Sequence, residues 1–194
     1  MVRLALIQQR KADEMKDMDE ELLVAQMKCG DRKAFAQIYD RYKDSVYRTA
    51  CLICKNAADG EDVMQETFLK AYLHCNELRS NGMFRYWLFQ ILNRTAYKHL
   101  KDKHAELPDE NILDKADNDV IPLTEETLLQ KEQHSELYQA ILNLDYKFRI
   151  VVILYYFNEI PTKQIARIVG CYEGTVKSRL HTARKRLKCL LSEL

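Results

Sequence analysis

Glycine and proline are nearly missing from this chain, with five and three in 194 residues. These two residues punctuate turns, so a fold of many short strands joined by tight turns is excluded and long helices are expected. No run approaches the roughly 18–20 apolar residues of a membrane span. The apolar start, Leu4 to Ile7, is too short for the core of a signal peptide, so a cytoplasmic protein is expected. A Gly-rich phosphate loop and a nucleophile–base spacing are also absent. The chain is therefore read as not an enzyme, with no catalytic residues, no cofactor and no small-molecule substrate.

Net charge is lacking too, at +1, but its distribution is uneven. Acids crowd the middle at Glu106, Asp109, Glu110, Asp114, Asp117, Asp119, Glu125 and Glu126, while Lys177, Arg179, Arg184, Lys185, Arg186 and Lys188 make the last helix basic. Such asymmetry points to one end that faces nucleic acid and a segment that avoids or imitates it. The six cysteines are dispersed, as reduced thiols of a cytosolic chain would be. Cys51-Leu-Ile-Cys54 is a candidate redox or zinc pair, with His74 and Cys75 as further zinc ligands. It lies in an apolar helical stretch without a βαβ pattern, so no metal is expected.

The hydrophobic pattern has helical periods. Leu22, Leu23 and Met27 make a first stripe that Gly30 ends. Asp31 caps a longer helix with Phe35, Ile38, Tyr39, Tyr42, Val46, Tyr47 and Ala50 on one face. Asn56 to Gly60 reads as a break, with Asp59 starting a third helix through Val63, Phe68, Leu69 and Tyr72. Residues 76–82 read as a polar loop before a fourth helix carrying Phe84, Trp87, Leu88, Ile91, Leu92 and Leu100. Residues 104–123 hold two prolines and many acids and read as a flexible linker. Thr124 is a candidate cap for the next helix, and a further helix is expected over roughly 146–157. The expected fold class is all-α: two small helical domains joined by an acidic flexible linker, the C-terminal one a helix-turn-helix.

That helix-turn-helix is read from Pro161 to Leu180. Ile165, Ala166 and Val169 face inward, and Gly170 supplies a left-handed turn. On the second helix Val176, Leu180, Ala183, Leu187 and Leu190 are spaced by four and three and form the buried back. Glu173, Lys177, Ser178, His181, Thr182 and Lys185 form the opposite face. A helix with an apolar back and a basic, hydrogen-bonding front fits the major groove. An ordinary amphipathic helix with a solvated basic face is the plainer alternative.

The run Glu173-Gly-Thr-Val-Lys-Ser-Arg-Leu-His-Thr-Ala-Arg-Lys-Arg-Leu resembles the end of the second conserved domain of extracytoplasmic-function (ECF) sigma factors, in the sigma-70 family. Arg149-Ile-Val-Val-Ile-Leu-Tyr-Tyr-Phe and Gln164-Ile-Ala fit the same domain. Ala34-Phe35, Tyr39, Tyr42, Val46-Tyr47-Arg48, Glu61 to Tyr72, Phe84-Arg85, Trp87-Leu88, Asn93 and His99-Leu100 resemble the first domain. The resemblance implies an N-terminal extension at 1–18, sigma region 2 at 19–103, the linker at 104–123 and sigma region 4 at 124–194.

It further implies the partners: core RNA polymerase through its beta-prime and beta subunits, promoter DNA, and an anti-sigma factor able to hold the chain at the inner membrane face. Asp62, Gln65, Glu66 and Phe68 would bind core polymerase, Phe68 alternatively serving the core. Arg79, Ser80, Asn81, Arg85, Trp87, Asn93, Lys98 and Lys101 would bind the minus-ten element, with the loop before Trp87 capturing an unstacked base. Glu173, Thr175, Lys177, Ser178, Arg179, His181, Thr182 and Lys185 would bind the minus-thirty-five element, with Arg184 and Arg186 as phosphate contacts. Two positions depart from the family's habit: Thr182 replaces a frequent basic residue, and Tyr172 stands where a short capping residue is common. A stand-alone helix-turn-helix regulator is the alternative function.

Overall fold

A computed structural model describes residues 19–104 and 131–192. The extension at 1–18, most of the acidic linker and the Thr124 cap lie outside the described residues. Among these, all regular structure is helical.

The first bundle consists of α1 (19–28), α2 (Arg32–Cys54), α3 (Ala57–Leu73) and α4 (Phe84–His104). Asp31 caps α2, its carboxylate accepting from the amides of Lys33 and Ala34. Ile38, Tyr42, Val46 and Ala50 are buried, as their spacing requires, whereas Tyr47 reaches the surface. They pack against Val63, Thr67, Phe68 and Ala71 of α3 and against Phe84, Leu88, Leu92 and Ala96 of α4.

The break expected over Asn56 to Gly60 is shorter than the sequence suggests. Asn56 is itself the cap, accepting from the Asp59 amide, and α3 begins at Ala57. Gly60 is a helical residue where α2 and α3 touch. A Cβ there would stand 2.5 Å from Cys51 Sγ and 2.9 Å from both Cys51 Cα and N. This glycine marks a close approach of two helices rather than a turn.

The second bundle holds α5 (Lys131–Leu142), α6 (Tyr146–Val152), α7 (Thr162–Val169) and α8 (Glu173–Ser192). A π-helical turn over Ile153–Phe157 extends α6, with the Asn158 amide donating to Ile153 O at 3.2 Å. Gly170 closes α7 at φ 76°. Ile165, Ala166, Val176, Leu180 and Ala183 form the buried seam of the helix-turn-helix, as expected, whereas Val169, Leu187 and Leu190, also expected inside, are half-buried.

The two bundles also pack directly on each other. Arg149 is 1% exposed, and its guanidinium donates to Leu142 O and Leu144 O in its own bundle and to Ile53 O in the other. The Leu142 and Ile53 carbonyls lie at the C-terminal ends of α5 and α2, where a helix dipole favours a cation, and Leu144 lies in the turn just beyond α5. Asn158 Nδ2 donates to Thr49 Oγ1 at 2.9 Å, while Asn158 O accepts from Arg85.

Candidate nucleic-acid interface

The loop between α3 and α4 folds as two short 3₁₀ turns, Cys75–Glu77 and Asn81–Met83. Arg79 and Ser80 between them are exposed. Asn81 is already engaged, its Oδ1 accepting from Lys28 Nζ at 2.7 Å and its Nδ2 donating to Glu21 O at 3.2 Å. Trp87 is half-buried with its ring 5.9 Å from that of Phe84, a core position.

Helix α4 carries the remaining minus-ten candidates, and the second bundle occupies part of them. Arg85 donates to Asn158 O. Asn93 Nδ2 donates to Ile168 O at 3.3 Å, and its Oδ1 accepts from Tyr146 OH at 3.0 Å. Gln90 donates to Arg167 O. Lys98 and Lys101 are exposed. Lys103 Nζ and His99 Nε2 lie 2.7 and 3.1 Å from the Asp59 carboxylate. Burial alone would raise the Asp59 carboxyl, but hydrogen bonds from Lys103 and His99 hold it below the usual range.

On the recognition helix α8, Lys177, Ser178, His181 and Lys185 are exposed, while Thr175, Arg179 and Thr182 are half-buried. Glu173 has local work: its carboxylate accepts from Thr162 Oγ1 at 2.8 Å and pairs with Lys177 at 2.9 Å. The bonds from Lys177 and Thr162 lower its pKa. Glu173 thus ties α7 to the first turn of α8. Arg186 lies 2.5 Å from the Asp145 carboxylate and over the Phe148 ring.

Of the polymerase-facing candidates on α3, Asp62 and Gln65 are exposed and Glu66 pairs with Lys70 at 2.7 Å. Phe68 is buried against Tyr39, so its core role prevails over docking. The exposed apolar side chains of this face are Leu69 and Leu73, at 57% and 63%. By spacing alone the helical stripe would assign Leu73 to the core, yet it stands exposed beside Leu69.

Cys51 and Cys54 are buried thiols; burial raises both, Cys54 to about 12. They stay protonated near neutral pH, unlike reactive thiols. Among the described residues no group of three or more His, Cys, Asp or Glu is placed to hold a metal ion, and no helix is long and apolar enough to cross a membrane.

Two family models match this chain: Sigma-70 region 2 over residues 38–106 and Sigma-70 region 4 over residues 134–187. The ECF RNA polymerase sigma factor SigW of Bacillus subtilis is 31% identical over 179 residues, spanning 88% of this chain and 96% of SigW. The chain belongs to the ECF sigma factors of the sigma-70 family. This sigma factor is also similar to the RNA polymerase sigma-H factor of Pseudomonas aeruginosa, 28% identical over 184 residues, 90% of this chain and 95% of that protein. The sigma factor RpoE of Bartonella quintana, solved with the anti-sigma factor NepR, matches with TM-score 0.70 and 26% identity over 82% of this chain and 98% of that one. CnrH, solved with the cytosolic domain of CnrY, shares the fold at TM-score 0.67 and 20% identity, over 90% of this chain and 97% of its own. The first bundle therefore carries region 2 and the second region 4 of an RNA polymerase sigma factor, and the stand-alone regulator is not favoured.

Proposed function

We propose that this sigma factor docks on core RNA polymerase through the outer face of α3, captures and helps melt the minus-ten element with the 79–82 loop and α4, and reads the minus-thirty-five element with α8. The proposed domains run 19–103 and 124–194. Polymerase supplies the covalent chemistry, and the chain acts in the cytoplasm.

The observation that carries the reading is the division of α8. Val176, Leu180 and Ala183 are buried, while Lys177, Ser178, His181 and Lys185 stay exposed on the side away from that core. That leaves a basic, hydrogen-bonding face of the kind that enters a major groove. The α4 candidates differ, because Arg85 and Asn93 are bonded to region 4. The two promoter elements are about 25 base pairs apart, or ~85 Å at 3.4 Å per pair. Among the described residues the longest helix, α2 with 23 residues, is only ~35 Å long. A compact body of about 150 residues has a radius of gyration of only ~15 Å, so the packed bundles fall short of both elements and polymerase binding is proposed to part them.

An anti-sigma factor is the proposed regulator. Region 4 offers an apolar groove of about 760 Å³ between Tyr138, Ile141, Tyr156, Phe157 and Leu187, edged by Arg184 and Lys188. Its chemistry suits an amphipathic helix with acidic flanks. The solved complex of RpoE with NepR supports this class of partner.

The test is run-off transcription from the promoter upstream of the factor's own gene, with core polymerase and the purified chain. The expected transcript needs both components and disappears when Arg79, Ser80 and Asn81 are replaced by alanine. Tight, salt-sensitive duplex binding without polymerase, and no transcript with it, would establish the stand-alone regulator instead.

A further inference from the structure

The base-capture loop is held from outside by α1. Lys28 Nζ donates to Leu78 O at 2.6 Å and to Asn81 Oδ1 at 2.7 Å, so one ammonium joins the two ends of the loop. Leu78 is buried and Asn81 half-buried, whereas Arg79 and Ser80 between them are exposed. Glu21, on the same helix, closes the other side. Its backbone carbonyl accepts from Asn81 Nδ2, and its carboxylate lies against Gly82, where a Cβ would collide with Oε1.

These partners fix more than position. An ammonium only donates and a backbone carbonyl only accepts. The Asn81 carboxamide therefore has a single favourable orientation, with Oδ1 toward Lys28 and Nδ2 toward Glu21. Among the described residues, one N–H of Nδ2 and one lone pair of Oδ1 take no further partner. A donor beside an acceptor is the pair with which an amide side chain reads a base edge.

We propose that Lys28 is a positioning residue for minus-ten base recognition. It sets the orientation of the Asn81 carboxamide and holds the loop in its capturing shape before DNA arrives. This rests on the reading of the 79–82 loop as the base-capture element. Preorganisation matters here because the pocket has to offset the cost of extruding a base.

The test uses the full chain in holoenzyme with core polymerase, and two minus-ten probes that differ only at the captured base. Lys28→Met keeps the aliphatic stem and removes the ammonium. It is expected to lower the preference for the matched base roughly tenfold, the order of one bidentate base contact. Polymerase binding by gel filtration and duplex binding to the minus-thirty-five element should be unchanged. Lys28→Arg keeps a charged donor and is expected to restore much of the preference, which tests the clamp even if the methionine variant folds poorly. An equal loss of binding to both probes, with the preference intact, would mean that Lys28 only stabilises the bundle and would overturn the proposal. Asn81→Ala separates the two levels. If it leaves base preference unchanged, the loop reading itself fails; if it abolishes preference while Lys28→Met does not, only the clamp fails.

Discussion

Replacing Gly60 with alanine sets two well-known effects against each other. Gly60 lies inside α3, where alanine is better by roughly 0.8–1 kcal/mol on helix propensity alone. The added Cβ would meet Cys51, at 2.5 Å from Sγ and 2.9 Å from Cα and N. A side-chain atom can rotate away, but backbone atoms of a neighbouring helix cannot. Relief requires α2 and α3 to move apart along their shared core, and overpacking of this kind costs about 1–3 kcal/mol. The net expectation for Gly60→Ala is a loss of about 1 kcal/mol and at most about 2, at roughly 2–4 °C in Tm per kcal/mol for this chain length. Urea denaturation and thermal melts measure it. The double variant with Cys51→Ala isolates the cause, because it removes the Sγ contact and leaves the two backbone contacts. Recovery should therefore be partial in a double-mutant cycle. A Gly60→Ala protein as stable as the parent, or more so, would refute the close-approach argument and leave propensity in control.

Other outcomes follow from single sites. Tyr172 precedes α8, is 88% exposed, and its carbonyl accepts from the Val176 amide, so it occupies the cap without a capping side chain. Tyr172→Ser should raise stability by about 1 kcal/mol, seen as a higher Tm; no gain would show that the Glu173–Thr162 bond already serves this end. The Asp59 carboxyl is lowered in the folded state, so it stabilises the protein above the unfolded carboxylate pKa of about 3.9, and that contribution fades as pH falls through the lower folded value. Asp59→Asn should flatten the acid limb of stability against pH, and an unchanged limb would assign it to other carboxylates. Arg149→Met deprives three carbonyls of a buried donor and should cost about 3 kcal/mol by denaturant titration. A loss below about 1 kcal/mol would mean that the seam does not depend on this guanidinium.

The helices and the helix-turn-helix were legible because burial follows local periods. Ile165, Val176, Leu180 and Ala183 announce their inward face by spacing, and Gly170 its left-handed turn. Gly60 was misread because glycine serves turns and close helix contacts alike, and only the partner residue distinguishes them. Phe68 and Leu69 are neighbours in an apolar run, and one residue's rotation sends the first inward and the second to solvent. The contacts at Asn81 and Arg149 escaped sequence reading for a different reason. Their partners include the carbonyls of Glu21 and Ile53, 60 and 96 residues away, and a carbonyl leaves no mark in a sequence. The seam between the bundles is largely of this kind, which is why a reading from residue types gave two tethered domains and not their packing.

The seam also has a thermodynamic consequence. If polymerase parts the bundles as proposed, every ligand that requires them apart draws on one closed-to-open equilibrium, and its apparent affinity is scaled by the open fraction. Each 1.4 kcal/mol added to or removed from the seam changes that fraction about tenfold while the closed form predominates. Thr49, Arg149 and Asn158 lie in the seam and outside the surfaces assigned to polymerase and DNA. On the proposed reading, substitutions at Thr49 or Arg149 would scale the use of all promoters together, whereas Arg85 and Asn93, which also bond across the seam, would couple it to minus-ten contact.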